Sequence, residues 1–203
     1  MGLKRFFQRV VLGKDDGVIK RPLEQRDGLD SEYYQGLHDK HSAYQSNNWL
    51  LNEPVLMQMI GGKTVMELGC GNGRFTQVAS ETAKHVYGLD WARSQLFDDS
   101  SDNVEFVQAD ALKATFPTVD VACSGDVLEH FKPEDILGLI AKLHECATVN
   151  FHVIACYDDK HSHLTIESKE WWLDAFQKHD KAYKLFNAGS EKRQVAIVSN
   201  WAG

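Results

Sequence analysis

Two rhythms of apolar residues alternate along this chain. Short runs rich in Val, Ile, Leu and aromatic side chains occur at residues 65–68, 85–90, 104–107, 119–123 and 149–155, and two more β-prone stretches follow at 182–186 and 194–198. Between them, apolar positions three and four apart mark helical segments that begin just after Gly73, at 133–146 and at 167–179. A strand covered on both faces needs a near-continuous apolar run, and helices with this spacing supply the cover. The alternation therefore predicts an α/β domain with a largely parallel sheet and helices on both of its faces. The last two stretches follow one another without a helix between them, so they are expected to close the sheet as an antiparallel pair. Upstream, residues 49–60 read as an amphipathic helix beside the first strand, stopped by Gly61-Gly62.

At the start of the chain Leu3, Phe6, Phe7, Val10 and Val11 share one helical face, with Lys4, Arg5, Gln8 and Arg9 opposite. Such a helix packs on its own domain, on a second subunit, or on an anionic membrane surface. Charge is uneven: the first 26 residues carry +4, leaving −11 to the remainder of a chain whose net charge is −7. An acidic body disfavours long nucleic acid as a partner, because that binding rests on phosphate neutralisation. The 203 residues suit a single domain, with 1–60 as a helical cover and substrate region and 61–203 as the core. There is no internal repeat, no dividing linker, no bilayer-length apolar run and no signal-peptide pattern. The expected location is the cytoplasm, with peripheral contact at the inner membrane face through the first helix as a variant of it. Cys70, Cys123, Cys146 and Cys156 form no C-x-x-C pair and read as buried reduced thiols.

The strongest local signal is the stretch from Val65 to Phe75, in which an apolar strand runs into glycines at 69, 71 and 73 and then into a helix. Glycines at such a junction allow a sharp turn and a close approach of backbone to ligand, and the helix aims free N–H groups at the same place. A dinucleotide fingerprint would need a third glycine where Arg74 stands. The spacing present, Glu67-x-Gly69-x-Gly71-x-Gly73, resembles the first motif of class I S-adenosylmethionine-dependent methyltransferases. Later strand ends agree. Asp90 ends the second strand, 21 positions after Gly69, where a ribose diol is held. Gln108-Ala109-Asp110-Ala111 resembles the family's adenine-reading turn, and Ser124-Gly125-Asp126 lies where the family places the reacting end of the cofactor. The resemblance covers roughly residues 62–200. It implies a Rossmann-like, seven-stranded, mostly parallel sheet with an antiparallel last strand. It also implies S-adenosylmethionine as cofactor, held by Glu67, Gly69, Cys70, Gly71, Gly73, Asp90, Trp91, Asp110, Ala111 and Asp126.

Methyl transfer from a sulfonium needs little from the protein beyond alignment of the acceptor and a group to take its proton. Asp126, Glu129 and His130 are spaced to converge if their segment opens a helix. That segment resembles the E-x-x-E-H motif of ubiquinone-biosynthesis O-methyltransferases and of small-RNA 2′-O-methyltransferases, which hold a divalent cation with it. Here Asp126 replaces the first Glu, and His163 would be a late ligand, so Asp126, Glu129, His130 and His163 form a candidate site for Mg²⁺ or Mn²⁺. The metal-free alternative makes His130 or His163 a general base, with Asp126 beside it. Tyr33, Tyr34, His41 and Tyr44 from the aromatic stretch 30–49, with His161 and His163, are candidate substrate contacts. Trp171-Trp172 either wall that site or fill the core. The chain lacks D-P-P-Y, N-P-P-Y and Pro-Cys, which disfavours nucleobase methylation and points to an oxygen acceptor on a small molecule or sugar. An RNA-end 2′-O-methyltransferase and a non-catalytic cofactor-binding module are the alternatives.

Overall fold

The computed structural model describes residues 19–27, 29–186 and 194–203, so the helix expected at residues 3–11 lies outside the described residues. Seven strands form one sheet: β1 Thr64–Leu68, β2 His85–Asp90, β3 Val104–Gln108, β4 Val119–Gly125, β5 Ala147–Ala155, β6 Lys184–Leu185 and β7 Val195–Ser199. Their order is β3-β2-β1-β4-β5-β7-β6. Strands β1 to β5 pair in parallel, and β7 runs antiparallel to both β5 and β6. This is the α/β architecture expected from the strand–helix alternation, in the Rossmann-like arrangement that the family resemblance implies. The helices are α1 Ser31–Lys40, α2 Ser42–Ser46, α3 Pro54–Ile60, α4 Arg74–Ser80, α5 Pro133–Cys146 and α6 Lys169–Gln177. Among the described residues no helix is long and apolar enough to cross a membrane.

The two-residue period of the central strands sorts the core onto two faces. Met66, Leu68, Ala122 and Ile154 pack with Ile136, Leu139, Ile140 and Leu143 of α5 and with Trp172 and Phe176 of α6. Val65, Val121, Cys123, Phe151 and Val153 pack on the other face with Phe75 and Ala79 of α4 and with Leu56 and Ile60 of α3. Each such Leu, Ile or Phe contributes about 1.5–3 kcal/mol on burial. Trp172 is fully buried and Trp171 meets it edge to face, so this pair belongs to the packing of α6 and its surroundings. Cys70, Cys123 and Cys146 are buried and all four thiols are free, with Cys156 half-buried.

The single helix expected at 49–60 is broken. Leu50–Asn52 is a 3-10 turn, and α3 begins afresh at Pro54. Pro54 has no N–H to continue a helix and disfavours helical geometry at Glu53, which has φ −111° and ψ 85°. The segment after β4 also differs from expectation. Residues Leu128–His130 make one 3-10 turn, and helix α5 starts only at Pro133.

The strand order reverses between β1 and β4, which are neighbours although two strands separate them in sequence. Open α/β sheets bind ligands at the carboxyl ends of strands flanking such a switch. Leu68 pairs with Ser124, so the turn at Gly69 and the residues Gly125-Asp126 emerge side by side.

Beneath this edge lies a buried polar chain. The Ser124 hydroxyl is 2.8 Å from His152 Nδ1, and His152 Nε2 is 3.1 Å from Asn150 Oδ1, with the imidazole stacked on Phe176. The amide oxygen only accepts, so Nε2 carries the proton and Nδ1 accepts from Ser124. Burial pushes the His152 pKa down from 6.5 to about 3. The folded state therefore refuses a proton that the unfolded chain takes up below pH 6.5. This stabilising contribution is complete above pH 6.5 and is lost as pH falls toward 3. Replacing His152 by Gln is expected to make the urea midpoint fall less steeply than wild type between pH 6.5 and 4. Equal slopes would place the acid sensitivity in other groups.

Candidate active site

The turn after β1 is built from left-handed backbone. Gly69, Gly71 and Gly73 have φ of 65°, 50° and 75°. A Cβ on Gly69 would run into Val127, and one on Gly73 would come within 2.8 Å of Phe97. Position 71 is roomier, with His38 Cε1 3.5 Å from where a Cβ would stand. Asp90, at the end of β2, is held by two backbone amides: Gly71 N–H reaches Oδ2 and Ala92 N–H reaches Oδ1, each at 2.9 Å. The Trp91 amide also faces this carboxylate, which keeps acceptor capacity for a further donor. Burial raises the Asp90 pKa, opposed by those amides and by nearby His38.

Behind the turn, Glu67 is buried. It accepts from the Thr76 hydroxyl of α4 and, at 3.4 Å, from Asn48. Burial pushes its pKa up to about 8, against the pull of these donors. Glu67 thus ties strand, helix and N-terminal cover together beneath the glycines. Asn72 adds a second tie, donating to the carbonyls of Tyr44 and Asn47. Along the far rim, Trp91, Gln108, Ala109, Asp110 and Lys113 line a cleft of about 370 Å³ together with Asp30 and Ser31. This is the region expected to read adenine. Asp110 already accepts from Leu112 N–H and pairs with Lys113 at 2.9 Å, and Ala111 beside it is buried.

Past β4, Asp126 adopts φ 63°, a left-handed conformation that Asp tolerates better than most residues. It converges with His130 and His163: one ligand-type atom from each of the three lies within 4.8 Å of the others. The His163 ring is fixed by its own loop. Nδ1 lies 2.7 Å from the Tyr157 carbonyl and must donate to it, which leaves Nε2 of the neutral ring as an acceptor 3.9 Å from Asp126 and 3.8 Å from Asp159. His130 meets His163 edge to face at 5.0 Å and lies 3.3 Å from the Tyr34 hydroxyl through Nδ1. Burial, then His163, lowers its pKa from 6.5 to about 4, although Asp126 and Asp159 pull the other way. At neutral pH it is uncharged. Tyr34 and Tyr157 complete the walls, and burial raises both phenol pKa values.

Glu129 corrects the expected ligand set. Its carboxyl turns into the protein, where Oε1 accepts from Ala155 N–H at 2.6 Å, and its backbone carbonyl accepts from Leu164 and Thr165. The same carboxyl also neighbours the Asp126 side chain. Burial, reinforced by Asp126, pushes its pKa well above the carboxylate range. Because the segment is a tight 3-10 turn and not the start of a helix, positions 126 and 130 face the chamber while 129 faces the end of β5.

The other candidates divide. Tyr34 and His163 enter the chamber. Tyr44 packs edge-on against His38 within electrostatic reach of Tyr34, Asp126 and Asp159 of the chamber, whereas Tyr33 and His161 pair with each other at 3.0 Å near Arg21, and His41 ends α1. Three contributors were not apparent from sequence. Asp159 accepts from the amides of His161, Ser162 and His163, so it shapes the loop that aims His163. Arg26, only 3% exposed, bonds Asp158 at 2.6 Å and the His163 carbonyl at 3.0 Å, bolting the N-terminal segment onto this loop. His38 lies against the glycine turn. An Asp-Asp pair followed by polar residues is a legible loop signal for Asp159; no local pattern marks Arg26 or His38.

With this geometry in place, kinship is informative. A family profile described as a methyltransferase domain matches residues 50–195, well over half of the chain, and the chain belongs to that family. Among curated relatives, phosphoethanolamine N-methyltransferase 1 of Triticum aestivum is 33% identical over 99 residues, covering 44% of this chain and 20% of that protein. The Zea mays protein of the same name is 29% identical over 97 residues, covering 43% and 19%. The match thus spans about a fifth of those relatives' length. The fold is similar to that of Burkholderia thailandensis 1,6-didemethyltoxoflavin-N1-methyltransferase, solved with its substrate and S-adenosylhomocysteine, at a TM-score of 0.65, 15% identity and 89% coverage of each chain. Human N-acetylserotonin methyltransferase, solved with S-adenosylmethionine, gives a TM-score of 0.65 at 11% identity, covering 89% of this chain and 62% of that one.

The glycine geometry separates two substitutions. Gly69→Ala adds a left-handed alanine and a clash with Val127, and is expected to cost more than about 2 kcal/mol, whereas Gly71→Ala carries mainly the backbone cost of about 1–2 kcal/mol. Thermal unfolding of the two variants checks the order, and equal losses would refute the steric account.

Proposed function

We propose that this chain is an S-adenosylmethionine-dependent methyltransferase acting on a small acceptor, with His163 receiving the acceptor's proton. The observation that carries the catalytic part is the His163 ring, whose Nδ1 is committed to the Tyr157 carbonyl while Nε2 faces Asp126 at the end of β4. The cofactor part rests on family membership and on three features that fit such a ligand: a left-handed glycine turn, an Asp90 carboxylate with acceptor capacity left beyond its backbone amides, and a cleft at the adenine rim. When bound, the cofactor supplies an activated methyl group together with its leaving group. The protein's own share is then positional. Tyr34, Tyr157 and the two histidines wall the acceptor, Asp126 and Asp159 stabilise the imidazolium that forms on His163, and helix α1 shields the cleft from water.

A hydroxyl on a small molecule or sugar remains the acceptor favoured by the sequence. An amine is the second reading. It is favoured by the two carboxylates, Asp126 and Asp159, beside the His163 imidazole, which would attract an ammonium group, and by the relatives that methylate nitrogen. The chain's acidic body weighs against an RNA end. A divalent ion finds three donors in Asp126, His130 and His163 but lacks the fourth expected from Glu129, so the donor set fits incompletely and no step is assigned to a metal.

Calorimetric titration with S-adenosylhomocysteine, with NADH for comparison and Asp90→Ala as control, tests the cofactor. Micromolar binding lost in the variant is expected, and binding of NADH instead would overturn the reading. Transfer of labelled methyl from S-adenosylmethionine to a panel of hydroxyl and amine acceptors then defines the reaction. On the acceptor found, His163→Ala is expected to lower kcat by roughly 10²–10⁴-fold with little change in cofactor affinity. Normal turnover would remove the base. Activity is expected to survive EDTA; loss restored by Mn²⁺ would favour the metal version.

A further inference from the structure

Helix α1 is docked across the cofactor cleft by contacts from successive turns. Tyr34 packs against Trp91 with ring centroids 5.7 Å apart. The Gln35 amide clamps the backbone of Arg93 from both sides, donating to its carbonyl at 2.9 Å and accepting from its N–H at 2.8 Å. One turn beyond Tyr34, and so on the same face of the helix, stands His38. The edge of its ring approaches Gly71, the residue whose N–H holds Asp90, and Tyr44 meets it edge-on at 6.1 Å.

The Nδ1 atom of His38 is buried and has no hydrogen-bond partner among the described residues. An orphaned buried nitrogen of this kind costs about 1–3 kcal/mol unless a ligand or water completes it. The Cε1 edge of the same ring lies against Gly71, whose N–H holds Asp90, and that carboxylate, faced by the amides of Gly71, Ala92 and Trp91, keeps acceptor capacity for a further donor. A ribose diol matches that set, because hydroxyls that donate to a carboxylate still have oxygen lone pairs and a second hydroxyl to offer a neutral imidazole. Burial keeps the His38 ring neutral by lowering its pKa, opposed by Asp90 and Asp39.

Building on the proposed S-adenosylmethionine dependence, we infer that His38 is a cofactor-binding residue whose Nδ1 hydrogen-bonds a ribose hydroxyl beside Asp90, making helix α1 part of the cofactor site. The experiment is calorimetric binding of S-adenosylhomocysteine and of its 2′,3′-dideoxyribose analogue to full-length wild type, His38→Phe and His38→Asn, with near-ultraviolet circular dichroism to verify folding. Phe keeps an aromatic ring without the nitrogen. Asn reaches the Nδ1 position with its amide. For S-adenosylhomocysteine, His38→Phe is expected to weaken binding about tenfold and His38→Asn by less than about threefold. For the dideoxy analogue the two variants and wild type should agree within about threefold, since the hydroxyl partner is gone. Undiminished binding of S-adenosylhomocysteine by His38→Phe would overturn the inference and place a water on Nδ1. So would equal losses by His38→Phe for both ligands, which would assign the ring a packing role. If wild type itself fails to bind S-adenosylhomocysteine, the cofactor reading falls and this inference falls with it.

Discussion

Everything at the candidate site depends on the parallel pairing of β1 with β4. That register sets Leu68 beside Ser124, so the glycine turn and Asp126 leave the sheet at the same edge and point the same way. Backbone hydrogen bonds fix this adjacency before any side chain at the site contributes. Gly69 bonds Leu89 of β2 through its N–H at 2.7 Å, and Asp126 bonds Val153 of β5 at 3.0 Å, so each loop is also pinned to the strand on its outer side. A shift of one residue in either strand would turn the site's side chains into the core and core residues into the cleft.

On that fixed edge the protein places groups that are costly to bury. Glu67, Glu129, His152 and the Asp90 carboxyl all have shifted pKa values, and burial is the leading cause for each. Glu67 and His152 are satisfied by neighbouring donors and acceptors and serve as internal supports. Asp90 and His38 differ, because the first keeps acceptor capacity and the second retains an unmet nitrogen.

Ahead of α3, which packs into the apolar core, the N-terminal segment is joined to the body by ring contacts and polar ties. Arg26 to Asp158, Asn72 to the carbonyls of Tyr44 and Asn47, and Gln35 to Arg93 hold the cover at three separated places. These are mostly polar contacts to backbone, in contrast with the apolar interior of the sheet sandwich. An attachment of this kind can open without unfolding the core, which suits an element that must admit a ligand.

The order of strands and helices, the glycine turn and the acid at Asp90 were legible in the sequence, because each follows from a local rule: side-chain period, a left-handed φ, or the residue that ends a strand. Those rules act over a few neighbouring positions, and the chain states them directly. The break before Pro54 obeys a local rule as well, and there the residue pattern outweighed it only on paper. Which groups share the chamber was decided by tertiary structure. Glu129 and His130 are adjacent in sequence, yet one binds the end of β5 and the other faces His163, because the turn is 3-10 and not α-helical. Arg26 meets His163, and His38 meets Gly71, across separations that no periodicity encodes. Such meetings arise only when the packed sheet brings distant segments to one edge.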